Sequence, residues 1–188
     1  MKKMKLVALV AILVAASAFT ISSTKQIDIK TSSIKWTGTK VLGSHNGTIN
    51  LSKGYLEMED GELTGGMFVV DMSSITVTDL KAGEGKEKLE GHLKSDDFFG
   101  TANHPTATLV ITTTEANDEG YLVTADLTIK GITKSIEFDM EVDENIATAN
   151  VTIDRTEFGV RYGSGSFFDN LGDKTISDDF ELEVSLQF

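Results

Sequence analysis

The sequence predicts an all-β protein: about eight antiparallel strands that close on themselves as a barrel, with one short helix near the barrel end. Three observations carry this. First, Tyr121, Val123, Ala125, Leu127 and Ile129 share one side of an extended chain, and Ile136, Phe138, Met140 and Val142 alternate with Glu137, Asp139, Glu141 and Asp143. A period of two with acids on one face describes a strand that is wet on one side and apolar on the other. Second, short turn signals such as Glu59-Asp60-Gly61, Asn117-Asp118-Glu119-Gly120 and Gly131-Ile132-Thr133 separate these segments, as antiparallel neighbours require. Third, only one stretch, Glu84 to Lys94, reads as a helix. Alternation alone describes a two-layer sandwich equally well.

In chain order, the first element is a processing signal. Met1-Lys2-Lys3-Met4-Lys5 is a basic start, Leu6 to Ala16 is an apolar run, and Ala16-Ser17-Ala18 is a small-x-small cleavage pattern. Residues 1–18 are therefore expected to be a secretory signal peptide, too short to span a bilayer comfortably at ~20 apolar residues; an uncleaved anchor is the alternative. The expected location is across the inner membrane, in the periplasm, with no stable membrane insertion once the leader is cut. Residues 19–188 then form one domain without a linker. Strands are expected at 33–40, 45–57, 62–72, 106–116, 120–130, 134–143, 146–156 and 176–188. In the helix, Lys86, Glu87, Lys88 and Glu90 surround Leu89 and Leu93, so it should lie over one end of the sheet. Small inward residues such as Ala147 and Ala149 leave room in the wall, or else pack against bulky partners such as Trp36, Phe68, Phe138 and Phe180.

Composition narrows the function. Without a cysteine there are no disulfides and no thiolate metal sites, so core burial must stabilise the domain. Loss of Lys2, Lys3 and Lys5 leaves 14 basic against 29 acidic residues, a net charge of −15. Such a surface repels phosphate backbones, which excludes nucleic acid, and disfavours anionic headgroups. No Gly-x-Ser-x-Gly elbow and no phosphate-cradling glycine loop occurs. His45, His92 and His104 lie in different expected elements, which argues against a metal site. No catalytic residue, metal or cofactor is assigned.

Several stretches resemble a known family. Gly91-His92-Leu93-Lys94-Ser95-Asp96-Asp97-Phe98-Phe99 is followed by Pro105-Thr106-Ala107-Thr108-Leu109, then by Leu127-Thr128-Ile129-Lys130-Gly131-Ile132-Thr133-Lys134. A later block, Ile153 to Val160, contains Asp154-Arg155-Thr156-Glu157-Phe158, and Leu171-Gly172-Asp173 precedes the final strand. Together they resemble the YceI family, secreted bacterial proteins with a lipocalin-like barrel that binds polyisoprenoid lipids. The resemblance spans roughly Gln26 to Phe188 and departs between Arg161 and Asn170, where a glycine- and aromatic-rich insert stands. It implies a hollow bore and a ligand such as a polyprenyl phosphate or a prenylated quinone.

The candidate ligand-binding residues are Trp36, His92, Phe98, Phe99, Phe138, Arg155, Phe158, Phe167, Phe168 and Phe180. His92 either touches the ligand at the barrel mouth or caps the helix C-terminus. Arg155 and Arg161, the only arginines, either hold a pyrophosphate or a quinone ring, or stand apart with Arg155 paired to Asp154 or Glu157 and Arg161 solvated. The doublets Phe98-Phe99 and Phe167-Phe168 either plug the barrel or gate it. Three readings follow: a carrier of an isoprenoid amphiphile, a calycin-type enzyme using His92 and Asp154, and a filled barrel that binds a protein partner. The partner of the first is an isoprenoid lipid or prenylated quinone; a homodimer is compatible with the sequence.

Overall fold

The computed structural model describes residues 20–188; the expected signal peptide, 1–18, lies outside them. The chain forms nine strands: β1 (Ser22–Gln26), β2 (Ser33–Lys40), β3 (Gly43–Glu59), β4 (Glu62–Val77), β5 (Thr106–Asn117), β6 (Gly120–Ile129), β7 (Ile132–Val142), β8 (Ile146–Asp154) and β9 (Ile176–Gln187). One helix, α1 (Lys86–Lys94), interrupts the series after β4. Every pairing between these strands is antiparallel, and β4 pairs back onto β3, so β2 to β9 close as a ring. Closure decides between the two architectures that alternation left open: this is an eight-stranded barrel.

The expected strands all form, and two additions have local causes. β1 lies on β3 at Tyr55–Glu59, beyond the stretch Gly43–Ile49 that β2 covers. Its five residues are polar and exposed, so they carry no period. β4 runs on to Val77 through a large bulge: four residues, Met72 to Ile75, face Ile49 alone. Asp71 holds the bulge by accepting from the Ser73 amide at 2.9 Å and its hydroxyl at 2.6 Å, while Ser74 Oγ accepts from the Asn50 amide. A bulge of this kind bends a strand sharply, which helps close a barrel.

The topology gives the barrel two unlike ends. The tight turns β3–β4, β5–β6 and β7–β8 lie at one; the connections β2–β3, β4–β5, β6–β7 and β8–β9 lie at the other. Near the first end the interior is solid. Leu56, Leu63, Val123, Ala147 and Leu186 are at most 2% exposed. Of the two readings of the small inward residues, packing holds: Ala147 and Ala149 are buried in this half with Val151, and on that face Ile153 borders the cavity. At the second end, α1 lies beside β4, tied by the Val77 amide donating to Glu90 Oε1 at 2.9 Å and buried through Leu93.

Candidate functional site

The half of the barrel under α1 is hollow. A cavity of about 250 Å³ is bounded by Ile34 and Trp36 of β2, Val70, Met72 and Ile75 of β4, Leu127 and Ile129 of β6, and Leu182 of β9. These positions alternate with outward polar residues, and the period of two brings their side chains to one bore. Leu89 and His92 of α1 cover it, with Phe98 and Phe99 from the loop that follows. A larger groove of about 420 Å³ lies on the outer wall, but Lys35, Glu119, Asp139, Glu141 and Glu183 line it and no apolar enclosure forms there.

Each wall residue is held by identifiable contacts. Trp36 donates from Nε1 to Thr76 O at 3.1 Å, so its one polar atom is satisfied and its ring can serve as apolar wall. Gly47 makes room for that ring: a Cβ there would stand 2.7 Å from Trp36 Cζ2 and 1.8 Å from Thr76 O. Phe98 and Phe99 meet edge to face at 5.1 Å, and Phe99 meets Phe180 at 6.2 Å. Lys130 fixes this loop by donating from Nζ to Asp96 O at 3.0 Å and Phe98 O at 2.6 Å. Sequence reasoning passed over Lys130, which stands at a φ of 51° in the two-residue turn between β6 and β7.

His92 does not cap α1. Ser95 does, donating from its amide and hydroxyl to His92 O at 3.1 and 2.7 Å. The His92 ring stands in the wall, edge-on to Phe98 at 5.4 Å and to Tyr162 at 4.4 Å. Its Nε2 is buried without a hydrogen-bond partner. A buried polar atom left unmatched is costly, and this one stands in an otherwise apolar wall.

Arg155 lies at the edge of the cavity and is 2% exposed, and four of its five N–H donors are engaged. Nε donates to Ser177 O at 2.9 Å, Nη1 to Val160 O and Tyr162 O at 2.8 and 3.0 Å, and Nη2 to Ile176 O at 3.2 Å. Nη2 also faces Asp178 Oδ1 at 3.5 Å. The sequence expectations for Arg155 are corrected: it pairs with Asp178 rather than Asp154 or Glu157, and its one remaining N–H, on Nη2, lies beside that carboxylate rather than open to a pyrophosphate. Arg161 is exposed and stacks over Phe167 at 4.4 Å. Burial pushes the Asp178 carboxyl up, but the Ser164 and Ser166 hydroxyls and the Arg155 guanidinium outweigh it and hold the group below its usual range. Of the two serines, Ser166 makes the short bond, at 2.5 Å.

The remaining candidates are dispersed. Phe138 is buried opposite Val123 in the packed region, and Phe158 is 1% exposed behind the wall; neither borders the cavity. Phe167 and Phe168 are about half exposed and neither plug nor line the bore. Asp154 caps the turn Arg155–Phe158, accepting from the Thr156 amide at 2.8 Å and its hydroxyl at 2.6 Å. His45 instead pairs with Asp79 at 2.7 Å. Among the described residues, no group of three or more histidines and acids is placed to hold a metal ion, and no helix is long and apolar enough to cross a membrane.

A closed antiparallel barrel, solid at one end and hollow beneath a helix at the other, is a lipocalin-like barrel. The chain belongs to the family described as the YceI-like domain, whose model matches residues 26–188. A UPF0312 protein of Staphylococcus aureus (strain USA300) is 33% identical over 113 residues, which is 54% of this chain and 62% of that protein's length. The protein YceI of Escherichia coli is 28% identical over 72 residues, 38% of each chain. Among solved structures, BcnA of Burkholderia cenocepacia has a TM-score of 0.70 at 19% identity, covering 86% of this chain and 99% of its own. A polyisoprenoid binding domain from Saccharophagus degradans has a TM-score of 0.58 at 13% identity, covering 86% and 95%. These likenesses confirm the fold.

Proposed function

We propose that this protein binds an isoprenoid amphiphile, a polyprenyl phosphate or a prenylated quinone, with the tail in the bore and the head at the mouth. One observation carries the reading: the hollow half is walled by apolar side chains, with the unmatched His92 Nε2 among them. The mechanism is burial rather than reaction. At ~25 cal/mol per Å² of apolar surface removed from water, the tail supplies most of the affinity. His92 Nε2 meets one head-group oxygen. With Arg155 turned to four backbone carbonyls and Asp178, discrimination among head groups is weak.

The volume sets a limit. At about 250 Å³, the bore lies just below the ~300 Å³ at which ligand pockets usually begin. It takes a few isoprene units, and Met72, the most flexible wall side chain, gives way to admit more. The apolar run and cleavage pattern of residues 1–18 support export to the periplasm, where the mature chain begins at residue 19; the mass of the protein recovered from cells checks this. Native mass spectrometry of that protein, before and after incubation with a prenylated quinone, tests the carrier reading. A bound isoprenoid mass is expected; protein that never holds or takes up lipid overturns it.

A further inference from the structure

The mouth of the bore is rimmed by exposed apolar side chains. At the β2–β3 turn, Val41 and Leu42 are 61% and 70% exposed; in the β8–β9 connection, Tyr162, Phe167 and Phe168 are 50%, 46% and 50% exposed. They form one surface. The Val41 amide donates to Thr175 O at 3.2 Å and the Ile176 amide to Gly163 O at 2.8 Å, which lays the turn and the connection side by side. Tyr162 meets His92 at 4.4 Å and joins the rim to the wall of the bore. The aromatic pair is held in place: both amides donate to Ser164 O, and Ser164 itself is fully buried. Exposed apolar patches of this kind mark interaction sites.

Charge is divided along the barrel axis. The mouth connections, residues 40–43, 78–105, 130–131 and 155–175, carry nine basic and nine acidic residues. At the other end, the connections 27–32, 59–62, 117–120 and 142–146 carry eight acidic residues and one basic one. A negatively charged surface therefore repels the far end and leaves the mouth indifferent. Aromatic and aliphatic side chains on an electrically neutral rim match the headgroup layer of a bilayer, where amphipathic rings partition well.

We propose that the mouth docks on a lipid bilayer, with Val41, Leu42, Tyr162, Phe167 and Phe168 entering the headgroup layer and the acidic turns facing away. The proposal rests on the carrier reading for its purpose, since a docked mouth lets a tail pass between bilayer and bore without crossing water.

Flotation with phosphatidylcholine vesicles tests it, comparing the full chain with Phe167→Ser/Phe168→Ser and with Val110→Ser/Leu122→Ser on the barrel's outer wall. All variants share residues 1–19, so any contribution from that segment cancels in the comparison. The unmodified protein is expected to float with vesicles, the rim variant to bind at least tenfold more weakly, and the wall variant to match the parent. Rim and parent proteins binding alike, or a parent that stays behind, overturns the proposal. So does self-association that the rim substitutions abolish, which would assign the patch to a second copy of the chain. Quenching of Trp36 in the unmodified protein by a soluble quinone reads the bore separately. Quenching without flotation overturns docking alone, and flotation without quenching overturns the carrier reading alone.

Discussion

Arg155 shows how a residue can be central to a site without touching a ligand. Its guanidinium gathers the carbonyls of Val160, Tyr162, Ile176 and Ser177, so it fixes the course of the chain around the mouth. Replacing it with alanine leaves four carbonyl acceptors without their donor and Asp178 without its counter-charge. A loss of about 3–5 kcal/mol in urea unfolding is expected, in line with breaking a buried pair. Its partner gives a pH dependence. The Asp178 carboxyl is held below its ordinary value of 3.8, so its contribution is full above that value and is lost as pH falls through the lower folded one. The urea midpoint should therefore fall more steeply below about pH 4 in the parent than in Asp178→Asn. In the proposed carrier His92 meets the ligand itself, so His92→Leu should weaken binding of a quinone by roughly tenfold, the value of one buried hydrogen bond, measured by titration. None of the carbonyls that Arg155 gathers was legible in the sequence, because they lie 5 to 22 residues away and are backbone atoms.

The elements themselves were readable wherever the period of two was clean. β6 and β7 follow their alternation almost residue for residue, with Val123, Ala125, Leu127 and Ile129 buried. The reading failed where polar residues make the structure. β1 has no apolar face at all, and the β4 bulge hides its last residues behind Ser73 and Ser74. Gly47 joins these elements to the site. It passes under Trp36 on β3, and its close contact with Thr76 O sits beside the bulge. Gly47→Ala must part β3 from β4 or move Trp36, and overpacking of this kind costs about 1–3 kcal/mol or more. A lower melting temperature together with a shifted Trp36 emission spectrum is the expected result; a change in stability alone would place the strain in the strands.

For the whole molecule, the closed ring and its direction decide where the open space lies. Alternation says which residues face inward, but not which half of the bore they fill. Ala147 and Ala149 read equally as open wall or as packing partners and are packed, whereas the hollow lies beneath α1, at the end where the long connections gather. That division comes from where the bulky residues fall in register across eight strands, which no single stretch of sequence displays. It gives a one-ended vessel of limited depth, so affinity should rise with each isoprene unit and level off once the hollow is full.

Trp36, the only tryptophan, stands in the wall of that hollow and reports on it directly. The decisive measurement is quenching of its emission by quinones bearing tails of increasing isoprenoid length, in the parent and in Ala107→Phe, which fills the same wall. Quenching that tightens with tail length, reaches a plateau and is lost in the filled variant is the expected result. Quenching that ignores tail length, or that survives a blocked bore, would contradict the account.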